Sequence, residues 1–403
     1  MAEQRIRVAL LGAGGFASTA HLPAIAATPA FDLVAVYSRS RSSADKLVQA
    51  AQRFPATSGA DLAVYSDDSA DGATLDALLA RDDIPAVVLC LPIPHQPAVI
   101  RRALAAGKHV VSEKPAAASV ADTRALVELY EAEYAPKGQQ WIVAEQFCYG
   151  HAWEKARELV RDGKLGTVQS FAVDVFIQPS LAAGATNWRR EPEYQGGFLL
   201  DGGVHFFAAL RHILSTASPS PLALTSLSAH VSQLNPSLPP CDTLHALVGT
   251  SSARGDDDGS ATGPSGTFTL SFGHPKPAQT KLYTLRGDRA VLTIDIAHPR
   301  IHVLRLVTQP SPADPDAAGE DEPNVLEIEL PARDAVEAEV EAFARALVAG
   351  IGSKEADEVR RRSGPRAALR DVAAVEGALK SGEKGGEKIA LKELVGEALW
   401  EVQ

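Results

Sequence analysis

Cysteine is scarce: the 403 residues hold three, Cys90, Cys148 and Cys241, far apart in the chain. That spacing suits neither a zinc site nor the disulfide framework of a secreted domain, so a reducing compartment fits and the thiols read as small apolar residues. Long hydrophobic runs are missing as well. No stretch reaches the roughly 18 apolar residues of a membrane span, and the first residues, Met1-Ala2-Glu3-Gln4-Arg5, run into a strand pattern without a signal-peptide segment. The expectation is a cytoplasmic protein with no membrane association. Basic charge is in deficit, 39 Lys and Arg against 50 Asp and Glu for a net charge of −11, and no Lys/Arg stripe carries interleaved aromatics. Nucleic acid is therefore not expected as a partner. The run Asp256, Asp257 and Asp258 lacks the ligand spacing of a cation loop and reads as solvated, so no metal is expected.

The chain is long enough for two domains. Residues 6–11 form an apolar run ending in Gly12-Ala13-Gly14-Gly15-Phe16-Ala17, and residues 20–27 read as helix. A G-x-G-x-x-A pattern between a strand and a helix is a dinucleotide fingerprint: Gly12 makes the tight turn, Gly14 lets the backbone approach a pyrophosphate, and Ala17 allows close helix packing. The next strand, residues 33–37, ends in Ser38-Arg39-Ser40-Arg41. An NAD enzyme usually places an acid there for the ribose 2′-hydroxyl; Ser38 and Arg39 suit a 2′-phosphate instead, so NADP is favoured. A solvated helix start is the competing reading of Arg39 and Arg41.

Further helices are expected at 41–53, 74–80, 96–106 and 122–134, and further strands at 86–91, 109–112 and 141–145, with a short one at 63–65. The strand at 109–112 delivers Glu113-Lys114-Pro115 at its carboxyl end, where ligands bind in open α/β sheets. After a helix at 151–162 the rhythm changes to alternating strands at 168–177, 222–231, 267–272, 281–285, 290–296, 301–307 and 325–330. This predicts a largely antiparallel sheet. Between the first two of these strands lies Gly196-Gly197-Phe198-Leu199-Leu200-Asp201-Gly202-Gly203-Val204-His205, opening a helix that runs to about Leu214. Asp201 and His205, four apart, share a face of it and can together hold and move a proton. Polar loops are expected at 251–266 and 309–324, and closing helices at 336–349, 365–380 and 389–400.

These pieces together resemble the glucose-fructose oxidoreductase and inositol dehydrogenase (Gfo/Idh/MocA) family. The similarity rests on the glycine loop, on Ala105-Ala106-Gly107-Lys108-His109-Val110-Val111-Ser112-Glu113-Lys114-Pro115, and on Gly196-Gly197 followed by Asp201 and His205. Trp188-Arg189, Arg286-Gly287-Asp288 and Ser381-Gly382-Glu383-Lys384-Gly385 are similar to it too.

The resemblance implies an α/β protein with a Rossmann domain at 1–145 and an α+β domain at 146–403, whose open, mainly antiparallel sheet makes homo-oligomers, dimers or tetramers. It implies Lys114, Asp201 and His205 as the catalytic set. Cofactor contacts fall on Gly12, Gly14, Gly15, Phe16, Ala17, Ser38, Arg39, Leu91, Pro92, Gln96, Glu113, Lys114, Gln146, Trp188 and Arg189. The implied function is an oxidoreductase, NADP preferred and NAD the alternative, moving a hydride to or from a secondary alcohol or ketone of a sugar, polyol or related cyclic substrate. A trans-dihydrodiol-type dehydrogenase and a non-catalytic cofactor-binding sensor are the other readings. The chain departs from the family at three places: a histidine position after the fourth strand falls on Gln96, an arginine position after the last Rossmann strand on Cys148, and a third glycine on Phe198.

Overall fold

The computed structural model describes residues 5–54, 62–179, 189–252, 263–274, 279–308, 323–332 and 335–400. The chain begins with β1 (Ile6–Leu11), α1 (Leu22–Ala27), β2 (Phe31–Ser38), α2 (Arg41–Ala51), β3 (Ala63–Ser66), α3 (Leu75–Leu79), β4 (Ala86–Leu89), α4 (Gln96–Ala105), β5 (His109–Glu113), α5 (Val120–Leu129) and β6 (Trp141–Ala144). It continues with α6 (His151–Arg161), β7 (Val168–Phe176), α7 (Phe198–Leu214), β8 (Leu222–Ser232), β9 (Thr243–Ser252), β10 (Ser265–Ser271), β11 (Thr280–Gly287), β12 (Ala290–Asp295), β13 (Ile301–Thr308) and β14 (Asn324–Pro331). It closes with α8 (Ala335–Ala349), α9 (Lys354–Ser363), α10 (Pro365–Glu383), β15 (Ile389–Ala390), α11 (Leu391–Val395) and α12 (Glu397–Trp400).

The first unit comprises Met1–Tyr149 and Asp334–Leu369. Its six strands are parallel in the order β3-β2-β1-β4-β5-β6, the order of a dinucleotide-binding sheet, with the switch point between β1 and β4. All four residues of β4 and of β6 are buried, as expected of strands covered on both faces. The sequence expectation assigned 336–349 to the second domain. Instead α8 packs in the first unit, where Phe343 meets Phe31 edge-on at 6.3 Å. Tyr149 and Ser363 share a hydrogen bond of 2.7 Å there as well. The chain thus returns to its first unit late.

The second unit comprises Gly150–Arg333 and Arg370–Gln403. Its nine-stranded sheet runs β14-β13-β12-β11-β7-β10-β9-β8-β15. Among the described residues β7 and β10 pair in parallel and every other neighbouring pair is antiparallel. Helix α7 lies against the sheet: Phe207 stacks on Phe268 with centroids 3.9 Å apart, and the Tyr283 hydroxyl donates to the Phe206 carbonyl at 2.9 Å. The expected helix over 389–400 is broken in two at Gly396, whose φ of 91° no helix interior allows. Of the loops expected at 251–266 and 309–324, residues 253–262 and 309–322, including the aspartate run, lie outside the described residues, while 251–252 end β9, 265–266 open β10 and Asn324 opens β14. Among the described residues no helix is long and apolar enough to cross a membrane.

Candidate active site

The glycine loop is wedged between strand ends. Gly12 donates its N–H to the Tyr37 carbonyl at 2.8 Å, and Cys90 donates to the Leu11 carbonyl at 2.8 Å. A Cβ on Gly12 would stand 2.1 Å from the Cys90 carbonyl oxygen, and its φ of +116° is closed to ordinary side chains. Gly14 and Gly15 differ: a Cβ on either meets nothing within 4 Å. Ala17 behind them is fully buried. The hydroxyls of Ser18 and Thr19 donate to the Gly15 carbonyl at 3.0 and 2.8 Å. Carbonyls at this helix start are thereby occupied, and its first N–H groups can meet an anion. Open backbone, close packing behind it and a helix N-terminus fit a dinucleotide, which Gly14, Gly15, Phe16 and Ala17 would hold.

Ser38 ends β2 half-buried, and Arg39 follows it exposed. Arg41 is committed to its own helix, with Nε 2.9 Å from Asp45 and its N–H donated to Asp68 at 2.7 Å. Of the two arginines, Arg41 is therefore the helix start. Between these groups the Tyr37 hydroxyl donates to Asp67 at 2.8 Å. Burial, and then Asp67, raise its pKa above the ordinary tyrosine value. Leu91 and Pro92 follow β4 half-buried.

Glu113-Lys114-Pro115 leaves β5 under restraint from both sides. Glu113 uses one carboxylate oxygen on Nε2 of the fully buried His21, at 2.6 Å, and the other to accept the Lys114 N–H at 3.1 Å. Gln96 is fully buried and donates its amide to the Pro115 carbonyl at 2.9 Å. Both residues, read from the resemblance as cofactor contacts, thus brace the segment that carries Lys114. Lys114 itself is half-buried. Gln146 is half-buried in the 3-10 turn Gln146–Cys148 beyond β6, and Cys148, at the family's arginine position, is fully buried. His21 went unread in the sequence; its only signal was an imidazole inside the apolar run that follows the glycine loop.

In the second unit, Gly196 and Gly197 turn the chain into α7 with φ of +71° and +50°. A Cβ on Gly197 would stand 2.2 Å from the Pro239 carbonyl oxygen. A Cβ on Gly202 would stand 2.7 Å from the Phe272 ring, so the glycine lets α7 lie close to that ring. Asp201 falls in the first helical turn, where the helix dipole favours a carboxylate. It is 3% exposed and accepts from Arg189 Nε at 2.7 Å. His205, one turn on, is half-buried. Tyr194, which the sequence gave no reason to single out, is buried nearby, and burial followed by the Asp201 charge holds its hydroxyl pKa above the ordinary range. Arg189, read as a cofactor contact, binds Asp201 here; Trp188 lies outside the described residues.

The chain has counterparts among known proteins. Residues 6–135 match the model of the oxidoreductase family's NAD-binding Rossmann fold, and residues 157–391 match that family's C-terminal alpha/beta domain. A Fusarium mangiferae protein named dehydrogenase FPY6 is 39% identical over 288 residues, 70% of this chain and 76% of its own. The Streptomyces violaceoruber dTDP-3,4-didehydro-2,6-dideoxy-alpha-D-glucose 3-reductase is 31% identical, over 90% of this chain and 91% of its own. Among solved structures, a Thermotoga maritima oxidoreductase superposes with TM-score 0.73 at 27% identity, covering 97% of this chain and 100% of its own. The fold alone is shared with an Actinomadura kijaniata 3-ketoreductase in complex with NADP and TDP-benzene, at TM-score 0.67 and 23% identity over 94% of this chain and 98% of that one.

Proposed function

We infer the finer chemistry from one premise: the chain belongs to the Gfo/Idh/MocA family and is an NAD(P)-dependent oxidoreductase. Our reading is an NADP-preferring enzyme that interconverts a ketone and a secondary alcohol on a sugar, polyol or related cyclic substrate. The observation that carries it is the braced Glu113-Lys114-Pro115 segment at the carboxyl end of β5, read together with Asp201 and His205 on successive turns of α7.

A nicotinamide dinucleotide held at the glycine loop would supply the hydride chemistry. Lys114 holds the reacting oxygen and stabilises alkoxide charge as it develops. His205 exchanges the proton of that oxygen, as acid in reduction and as base in oxidation. Asp201, fixed by Arg189, orients its helical neighbour. Arg39 and Ser38 take the 2′-phosphate, for which the exposure of Arg39 and the commitment of Arg41 to Asp45 are the support. The keto-sugar reductases among its relatives support a sugar-type substrate.

We propose self-association through the second unit's sheet. Its cross-strand row Leu247, Thr267, Ala172, Thr284 and Thr293 carries no charge before Arg305 and Glu327 pair at its outer end, and Leu247 is 64% exposed. Light scattering on the purified chain tests this, a dimer or tetramer being expected and a monomer contradicting it. The activity is tested by scanning keto-sugars, polyols and cyclic diols by absorbance of the reduced cofactor, with NADP and NAD side by side. Turnover of a sugar or polyol with NADP is expected. Turnover confined to aromatic dihydrodiols, or tight cofactor binding without any turnover, overturns the assignment.

A further inference from the structure

A buried acid and imidazole in the first unit link the dinucleotide loop to Lys114. His21 ends the π-helical turn Ala17–His21 that follows the glycine loop, and its ring is fully buried. The ring of Phe16, 42% exposed on that loop, stands edge-on to it with centroids 5.4 Å apart. On its other side His21 meets Glu113 through Nε2 at 2.6 Å, while its Nδ1 has no hydrogen bond among the described residues. Glu113 passes the restraint on through its second oxygen, which accepts the Lys114 N–H at 3.1 Å. Contacts therefore run unbroken from Phe16 through His21 and Glu113 to the Lys114 backbone. Burying a carboxylate against an imidazole carries a desolvation cost that an apolar pair of the same shape avoids, so such a pair suits specifying a geometry better than raising stability.

We propose that His21 is a positioning residue: acting through Glu113, it fixes the backbone at Lys114 and ties the placement of that lysine to the dinucleotide loop. The proposal rests on the reading of Lys114 as the group that holds the reacting oxygen. Gln96, bound to the Pro115 carbonyl, restrains the same segment independently, so loss of His21 loosens the segment without unfolding it.

The test uses the full-length protein and two readouts. Amide hydrogen exchange at Lys114 is compared in the wild type, H21L, whose side chain fills the space without donating, and H21Q, whose amide can donate to Glu113. H21L is expected to speed exchange at Lys114 about tenfold or more, and H21Q to restore most of the protection. In turnover, H21L is expected to lower kcat about tenfold while leaving KM and cofactor affinity within about twofold, and H21Q to recover kcat. Unchanged Lys114 exchange in folded H21L overturns the link, and faster exchange with unchanged kcat overturns the role in catalysis. If H21L does not fold, H21M, which also fills the space without donating, takes its place: faster exchange at Lys114 in H21M than in H21Q supports the link, and equal protection overturns it. Full activity in Lys114→Ala would refute the assigned role of Lys114, while the exchange data would still decide whether His21 holds that backbone.

Discussion

Arg189 donates from Nε to Oδ2 of Asp201 at 2.7 Å, one helical turn ahead of His205. The arginine is partly exposed, at 38%, whereas the carboxylate is buried. Removing the donor leaves a buried acceptor short of a charge-assisted bond, worth about 1–3 kcal/mol. Arg189→Ala is therefore expected to lower stability in urea by about that amount and to lower kcat, and Arg189→Lys to recover part of both. Wild-type urea midpoint and kcat in Arg189→Ala would show that the pair does not hold Asp201.

The glycine loop separates folding from binding. Gly12→Ala forces a Cβ to 2.1 Å from the Cys90 carbonyl oxygen. Overpacking of that kind costs about 1–3 kcal/mol, roughly 2–10 °C of melting temperature. Gly14→Ala meets nothing within 4 Å, so it should melt with the wild type and yet weaken cofactor binding about tenfold or more by holding the pyrophosphate off the backbone. Calorimetry with and without cofactor distinguishes the two; equal melting losses in both variants would contradict the assignment.

Arg39 should read the 2′-phosphate. Arg39→Ala is expected to weaken NADPH about tenfold to a hundredfold, the worth of a charge-assisted contact, and to leave NADH nearly unaffected. Fluorescence titration with each cofactor decides it, equal weakening of the two being the contrary result.

Stability should decline on both sides of neutrality. Burial is the first cause raising the pKa of the Tyr37, Tyr149 and Tyr194 hydroxyls, and burial with Asp242 pushes the Cys241 thiol up to about 11. The unfolded chain releases these protons near about pH 8.5 for cysteine and about pH 10 for tyrosine, while the native state keeps them. Their contribution is complete below those values and is lost as pH rises toward the folded ones, by roughly 1.4 kcal/mol per pH unit per group. On the acid side, burial lowers the pKa of His109, whose Nδ1 accepts the Gln140 N–H at 3.0 Å. Its contribution is present above about pH 6.5 and lost as pH falls. Urea midpoints across this range should trace both limbs, and Tyr194→Phe should shallow the alkaline one. A flat profile above about pH 10 would contradict the buried-tyrosine argument.

Sheet strands with one clear period were legible in the sequence. The continuous apolar run of β4 and the alternation of β12 each announce their surroundings. β9 was missed because Leu247 breaks its alternation and its end, Gly-Thr-Ser-Ser, reads as loop. α9 was missed because Lys354–Ser363 buries only Ala356, Val359 and Ser363 beneath a charged surface. The return of α8 and α9 to the first unit leaves no mark on local pattern, since burial against a distant strand looks like burial against a near one. The candidate residues Lys114, Asp201 and His205 stood out because they sit at a strand end and on one helix face, positions that spacing encodes. Their surroundings did not. His21 and Tyr194 went unread and Gln96 was read only as a cofactor contact, because their places are set by tertiary contacts, and the sequence carries no period for an imidazole meeting a carboxylate at the far end of another strand.

The most direct measurement is single-turnover hydride transfer in Lys114→Ala and His205→Ala, with NADPH and the best ketone from the substrate scan, alongside NADPH affinity. Both variants are expected to lose about two orders of magnitude or more in rate while binding NADPH within about twofold of the wild type. Wild-type rates in both would contradict the assignment of this chemistry to Lys114 and His205.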